Sequence, residues 1–225
     1  MLRKLFGLYG LPQGLRVDNG SPWGSWSDLP TDLALWLIGL GVDMHWNHPN
    51  RPQENGVVER SQGTGQCWAE PNACSSVRQL QKRMEKMDRI QREVYAERGQ
   101  PTRWLAHPGL AYSGRSYTAA WENSHWNLQR VLDHLADYVV TRRVGPAGHV
   151  SIYNRHYYVG VVHRRQFAQI MLDKETLSWL VLDENGHLFN RLPVKEISEK
   201  TIRRLEVTKK CNRPRSQRQK RRKTG

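Results

Sequence analysis

Cysteine is scarce in this chain: 225 residues contain three, Cys67, Cys74 and Cys211. An odd set of thiols with no export signal ahead of it excludes a disulfide framework, so reduced cysteines are expected. Long apolar runs are lacking as well. The longest, Leu33 to Val42, covers about ten residues, half of what a helix needs to cross a bilayer, so no membrane partner is expected. Met1-Leu-Arg-Lys-Leu-Phe is followed by Gly7 and Gly10, with no continuous apolar core and no small-residue cleavage site. A secretory signal is therefore not expected, and the chain is read as cytoplasmic. The first 17 residues hold no acid.

Base is abundant. Thirty-five Lys and Arg against 21 Asp and Glu give a net charge of +14, which points to a polyanionic partner, nucleic acid above all. Nine of the cations lie in residues 209–225, namely Lys209, Lys210, Arg213, Arg215, Arg218, Lys220, Arg221, Arg222 and Lys223, with no acid among them, which leaves +5 for everything before. Such a tail reads as a disordered arm for phosphate backbones. The remainder should fold, since hydrophobic residues make up 38% of the chain and nine Trp and eight Tyr are spread along it. His45-x-x-His48 and Cys67-x6-Cys74 could gather zinc only with a cysteine spacing wider than the usual two to four residues, and no zinc site is expected.

Four segments emerge along the chain. In residues 1–75, Leu15-Arg16-Val17 reads as a strand end feeding the breaker Asp18-Asn19-Gly20. Asp28 or Thr31 can cap a helix through Leu33, Leu35, Trp36 and Leu37 to the Gly39/Gly41 stop, and Val42 to Trp46 alternates as a strand. A second helix opens at Pro52 and is expected to shorten or fray at Gly63 and Gly65, each costing about 1 kcal/mol relative to alanine. Residues 76–137 form a helical continuation and connector. Its amphipathic helix, from Ser75 to about residue 98, carries the stripe Leu80, Met84, Met87, Ile90, Val94 and Tyr95, and a short helix follows over Leu128–Leu135. Residues 138–207 switch to strand periodicity: 138–144, 150–153, 157–162, 167–172, 177–182 and 187–192, separated by tight turns, predict a small antiparallel β-barrel or sandwich. Tyr153, Tyr157 and Tyr158 are expected to pack it. Residues 208–225 are the basic tail.

Two segments carry chemistry: Arg16-Val17-Asp18-Asn19-Gly20 and Pro52-Gln53-Glu54-Asn55-Gly56-Val57-Val58-Glu59-Arg60. Phosphodiester chemistry needs clustered carboxylates, because two Mg²⁺ ions about 3.5–4 Å apart activate the attacking oxygen and stabilise the leaving one. Together and in this order the two segments resemble the catalytic core of retroviral-type integrases and of bacterial insertion-sequence transposases with an Asp-Asp-Glu triad. Supporting likenesses are Asp18-Asn-Gly-Ser-Pro-Trp23, Leu40-Gly41-Val42, Arg51-Pro52-Gln53, Tyr95-x-x-Arg98, Pro108-x-x-x-Tyr112, and Arg142-Arg143-Val144 with Tyr157-Tyr158-Val159-Gly160.

The resemblance implies an α/β fold: an incomplete ribonuclease H-like core followed by a connector helix and a small SH3-like antiparallel β-barrel. It makes Asp18 and Glu59 the catalytic and metal-binding residues for Mg²⁺ or Mn²⁺, held weakly by two carboxylates. Arg60, Arg142, Arg143 and the nine tail cations would bind DNA. Glu54 lies at the interval often quoted for the family, but members carry the metal-binding glutamate after Asn/Gln-Gly-x-x, which selects Glu59. Five helical positions put Glu54 and Glu59 roughly 140° apart, so one helix cannot aim both at the same ions. The first aspartate of the triad is expected to fall ahead of Met1, with Asp28, Asp32 or Asp43 as conceivable substitutes, so this chain alone is read as catalytically incomplete. Implied partners are DNA and an intact transposase relative or a second copy, on the bacterial nucleoid. A non-catalytic DNA-binding or inhibitory module, and an RNA-associated basic protein, remain alternatives.

Overall fold

The computed structural model describes residues 1–24, 28–48, 51–96 and 98–205. The basic tail from Lys209 on lies outside them. The chain opens with a helix that the reading by strand and breaker signals passed over, α1 (Leu2–Tyr9), although Leu2, Leu5, Phe6 and Tyr9 have the three-and-four spacing of one helical face. Phe6 is buried, stacked on Trp36 with ring centroids 6.0 Å apart and edge-on to Tyr117 at 5.6 Å. The expected strand–helix–strand then follows as β1 (Gly14–Val17), α2 (Asp32–Gly39) and β2 (Asp43–Trp46). Thr31 caps α2, its Oγ1 accepting from the Ala34 amide at 3.3 Å. β1 and β2 pair in parallel, with Gly14 opposite Asp43 and Val17 opposite Trp46.

Helix α2 is buried from Ala34 through Gly39, so it is the centre around which other elements pack rather than a surface helix. Gly39 is needed there, because a Cβ would stand 2.3 Å from the Trp126 ring. The Trp126 indole donates back to the Trp36 carbonyl at 3.0 Å. Trp126 follows α6 (Ala119–His125), and α7 (Leu128–Ala136) buries Val131, Leu132 and Leu135 beside it. A buried carboxylate fastens this arrangement. Glu122 of α6 accepts from Arg3 Nε and Nη2 at 2.9 and 2.8 Å, from Trp36 Nε1 at 3.0 Å and from the Tyr117 hydroxyl. Burial would raise its pKa, but the donors from Arg3, Tyr117 and Trp36 outweigh burial and hold it down at about 2. Tyr117 is pushed up to about 12 by burial and by its bond to Glu122.

Between these parts, a 3₁₀ turn (Pro52–Asn55) leads into α3 (Gly56–Ala69), followed by α4 (Val77–Arg89), a π-helical turn (Ile90–Val94) and the short α5 (Arg103–Ala106). The fraying expected at Gly63 and Gly65 does not occur, since α3 runs through both. Packing overrides propensity here: α3 lies along α4, Ala69 is buried at its end, and Arg83 of α4 donates to the Ala69 carbonyl at 3.3 Å, satisfying a terminal acceptor.

The six C-terminal strands are present: β3 (Val139–Arg143), β4 (His149–Ile152), β5 (Arg155–Tyr158), β6 (Phe167–Asp173), β7 (Ser178–Leu182) and β8 (Leu188–Pro193). They form an antiparallel sheet in the order β3-β6-β7-β8 and a separate β4–β5 hairpin, and the described strands do not close into a barrel. The break lies at the single turn of helix, Val161–His163, which takes the chain off β5 before β6 begins. Tyr157 packs inward, its hydroxyl donating to buried Glu196 at 2.5 Å, and Trp179 Nε1 donates to the same carboxylate at 2.9 Å. Tyr158 departs from the expectation and is exposed, because neighbours in a strand point to opposite faces. The last helix, α8 (Glu199–Arg204), returns to α2 and buries Ile202 completely, worth about 2 kcal/mol. Among the described residues no helix is long and apolar enough to cross a membrane.

Candidate functional site

Asp18 follows the last residue of β1 and opens a tight turn, its Oδ1 accepting from the Gly20 amide at 3.2 Å. The turn is held against the chain that leaves it. Gly24 donates to the Gly20 carbonyl at 2.9 Å, and a Cβ on Gly24 would lie 2.1 Å from the Asn19 carbonyl oxygen, so only glycine fits. At the end of the parallel neighbour β2, the Asn47 amide donates to the Val17 carbonyl at 3.0 Å. The Asn19 side chain donates to the Asn47 carbonyl at 2.8 Å. Asn47 is 6% exposed; its Nδ2 donates to Asn55 Oδ1, while its Oδ1 is buried with no hydrogen-bond partner among the described residues.

Asn55 stands directly before α3, and Glu59 lies in that helix's first turn, where a carboxylate complements the helix dipole. Hydrogen bonds therefore run from Asn19, beside Asp18, through Asn47 to Asn55, four residues ahead of Glu59. The two motifs singled out in the sequence are joined through a third residue, Asn47, that the sequence reading missed. A polar residue ending the strand that pairs with β1 is the signal that could have found it, because open α/β sheets place their sites outside the carboxyl ends of strands.

The six acids of the first 60 residues sort by what their oxygens already do. Glu54 accepts from the His48 amide at 3.0 Å and sits 2.9 Å from His48 Nδ1. These bonds hold its carboxyl below the usual range and commit it to the loop. Asp28 pairs with Arg142 at 3.4 Å. Asp32 heads α2, where desolvation by its surroundings raises its pKa. Asp43 lies opposite Gly14, at the far end of the strand pair from Asp18 and about 13 Å away along the strand. Glu59 is exposed and makes no hydrogen bond or ion pair among the described residues, and Asp18 Oδ2 is likewise without a hydrogen bond there. Of the three conceivable substitutes for a first aspartate, Asp28 is taken up by Arg142 and Asp43 stands at the wrong end of the strand pair.

A divalent metal is the group this donor set would be asked to hold. Carboxylate and amide oxygens are hard donors, the type that suits Mg²⁺ or Mn²⁺. Among the described residues, however, no group of three His, Cys, Asp or Glu side chains could hold an ion. The donors match in kind and fall short in number.

Of the cations expected to meet DNA, Arg60 is exposed on α3 and pairs with no carboxylate among the described residues. It lines a groove of about 890 Å³ between α3, the Ile90–Val94 turn and α5, together with Val57, Trp68 and Tyr95; Glu59 is not among its lining residues. Arg142 is tied to Asp28. Arg143, one residue on, is exposed, and among the described residues its side chain donates only to the Arg165 carbonyl, at 3.4 Å. The nine tail cations lie outside the described residues. No protein-family model matches the chain.

Proposed function

We propose that the chain is part of a DNA transposase or integrase. It would bind DNA through its basic surface and contribute Asp18 and Glu59 to a metal-dependent strand-transfer centre whose remaining carboxylate is supplied from outside these residues, by another polypeptide or by an upstream segment. The observation that carries this reading is the Asn19–Asn47–Asn55 hydrogen-bond chain, which ties the turn holding one carboxylate to the helix holding the other. In this reading β1, α2 and β2 are the surviving part of a ribonuclease H-like sheet, and the C-terminal strands stand for a small SH3-like module. A bound Mg²⁺ or Mn²⁺ ion would polarise the scissile phosphate and activate the attacking oxygen. The chain's own residues would fix Asp18 through its turn, hold Glu59 at the head of α3, and offer Arg60, Arg143 and the tail to phosphates.

The absence of a three-ligand group among the described residues favours a second reading, a non-catalytic module that holds DNA and joins an intact relative or another copy without cutting. One experiment addresses both. Strand transfer on an element-end duplex is measured with Mg²⁺ or Mn²⁺ and an added polypeptide that carries the missing first-aspartate strand, alongside duplex affinity as a function of salt. The catalytic reading expects transfer that disappears in the double variant Asp18→Asn, Glu59→Gln, and transfer surviving that variant would exclude it. Both readings expect affinity to fall steeply with salt, by about 0.9 in log–log slope per phosphate neutralised, and to flatten when residues 209–225 are deleted. A duplex affinity indifferent to salt would remove both.

A further inference from the structure

Charge is distributed unequally even without the tail. Residues 138–172 contain five arginines, three histidines and no acid, whereas residues 1–137 and 173–208 balance 21 Lys and Arg with 21 Asp and Glu. The whole surplus of the folded part therefore lies in β3 to β6. Within that segment Arg142 and Arg155 are paired, to Asp28 at 3.4 Å and Glu196 at 3.9 Å. Arg143, Arg164 and Arg165 are exposed and pair with no carboxylate among the described residues.

The three gather at one end of the sheet. Arg143 ends β3 opposite Phe167, which begins β6. Arg165 precedes it in the intervening loop, its amide bonded to the Val144 carbonyl at 2.8 Å and its carbonyl accepting from Arg143 Nε. Aromatic faces stand at the same end. Phe167 is 49% exposed on the face away from the core. His163 stacks on Phe189 at the start of β8, with centroids 4.1 Å apart and an interplanar angle of 23°. The β7–β8 turn also reaches this end and carries exposed Glu184 and half-buried Asp183, the latter accepting from the amides of Asn185 and His187, both at 2.8 Å, and lying 3.1 Å from His187 Nδ1.

Guanidinium groups without a carboxylate partner, beside the exposed Phe167 ring and the half-buried His163–Phe189 stack, match a nucleic acid whose bases are available to stack. A duplex offers phosphates but keeps its bases stacked inside. We infer that this sheet end is a binding site for single-stranded DNA, with Arg143, Arg164 and Arg165 on the phosphates and bases stacking on Phe167 and on the His163–Phe189 pair. The choice of DNA over RNA rests on the reading above; the preference for unpaired strands does not.

The test uses the full chain, tail included, with fluorescein-labelled oligothymidylate of about 15 nucleotides and a duplex of equal length at matched salt. Phe167→Leu keeps apolar bulk and removes the ring; it is expected to weaken single-strand binding about tenfold and leave duplex binding within about twofold. Arg164→Ala with Arg165→Ala should lower the single-strand salt slope by about 1.4. Single-strand affinity unchanged in Phe167→Leu would overturn the inference, as would tighter binding of oligouridylate than of oligothymidylate. On the unaltered chain, 5-iodouracil photo-crosslinking should label peptides spanning 163–189, and labelling confined to 209–225 would also overturn it. Loss of duplex binding in the unaltered chain would count against the DNA reading alone.

Discussion

Glu122 offers the most direct quantitative check on how the N-terminal part is held together. Each of its oxygens accepts two donors: Arg3 Nη2 and Trp36 Nε1 on one, Arg3 Nε and the Tyr117 hydroxyl on the other. Glu122→Gln keeps the volume but turns one of those oxygens into an NH₂ group facing two donors. Losing two charge-assisted bonds while leaving donors unmatched costs about 2–4 kcal/mol. The same bonds set a pH dependence of matching size. The carboxyl is held at about 2 against an ordinary 4.5, so its contribution is fully present above pH 4.5 and is lost as pH falls toward 2. A gap of about 2.5 units corresponds to about 3 kcal/mol. Urea unfolding at a series of pH values should show the wild type and Glu122→Gln separated by this amount near neutrality and converging as pH falls through that window. Parallel curves, or a variant with the wild-type midpoint, would refute the assignment.

Three further outcomes follow from single contacts. Gly63→Ala and Gly65→Ala should each raise stability by about 0.5–1 kcal/mol in urea unfolding, since a Cβ at either position meets nothing within 4 Å and helix propensity favours alanine. Gly24→Ala should cost more than about 2 kcal/mol, because its Cβ meets Asn19 backbone 2.1 Å away and the turn bearing Asp18 must shift; a melting temperature equal to wild type would contradict this. Asn47→Ala should cost about 1–2 kcal/mol and raise hydrogen exchange in the first turn of α3, since Asn55 loses its link to β2.

What the sequence made legible was local. Alternation set out all six C-terminal strands, and Thr31 with its apolar followers marked α2, because period and capping act over a few neighbouring residues. Strand partnership is not local, so a run of hairpin-like turns suggested a barrel or sandwich without fixing which, and among the described strands β4 and β5 pair only with each other and no barrel closes. Helix α3 defied its glycines for the same reason: its support, from α4 and Arg83, lies more than ten residues on in the chain. The site divided along this line. Asp18 and Glu59 are singled out by motif context alone; Glu54 lies in the 3₁₀ turn ahead of α3 rather than on one helix with Glu59, and its bonds to His48, not a helical angle, commit it elsewhere. Asn47 escaped notice because one asparagine after a strand carries no pattern, and its partners Asn19 and Asn55 meet it only in space.

The two buried glutamates sharpen what the exposed ones can do. Glu122 and Glu196 are built alike, each accepting from a tyrosine hydroxyl and a tryptophan indole with an arginine beside it, one in the N-terminal part and one among the C-terminal strands. A carboxylate taken out of water is stable only when its lone pairs are filled, so these two act as fasteners and their oxygens are not available for a cation. Asp18 and Glu59 are the reverse: water-exposed, with Asp18 Oδ2 and both Glu59 oxygens left open by the described residues, next to the hydrogen-bonded chain Asn19–Asn47–Asn55. Restraining a carboxylate's backbone while leaving its oxygens unfilled contributes little to stability. In the proposed reading it becomes useful when a cation or a phosphate-bound metal arrives, so these two residues, rather than the better-bonded pair, are the ones to alter in a test of function.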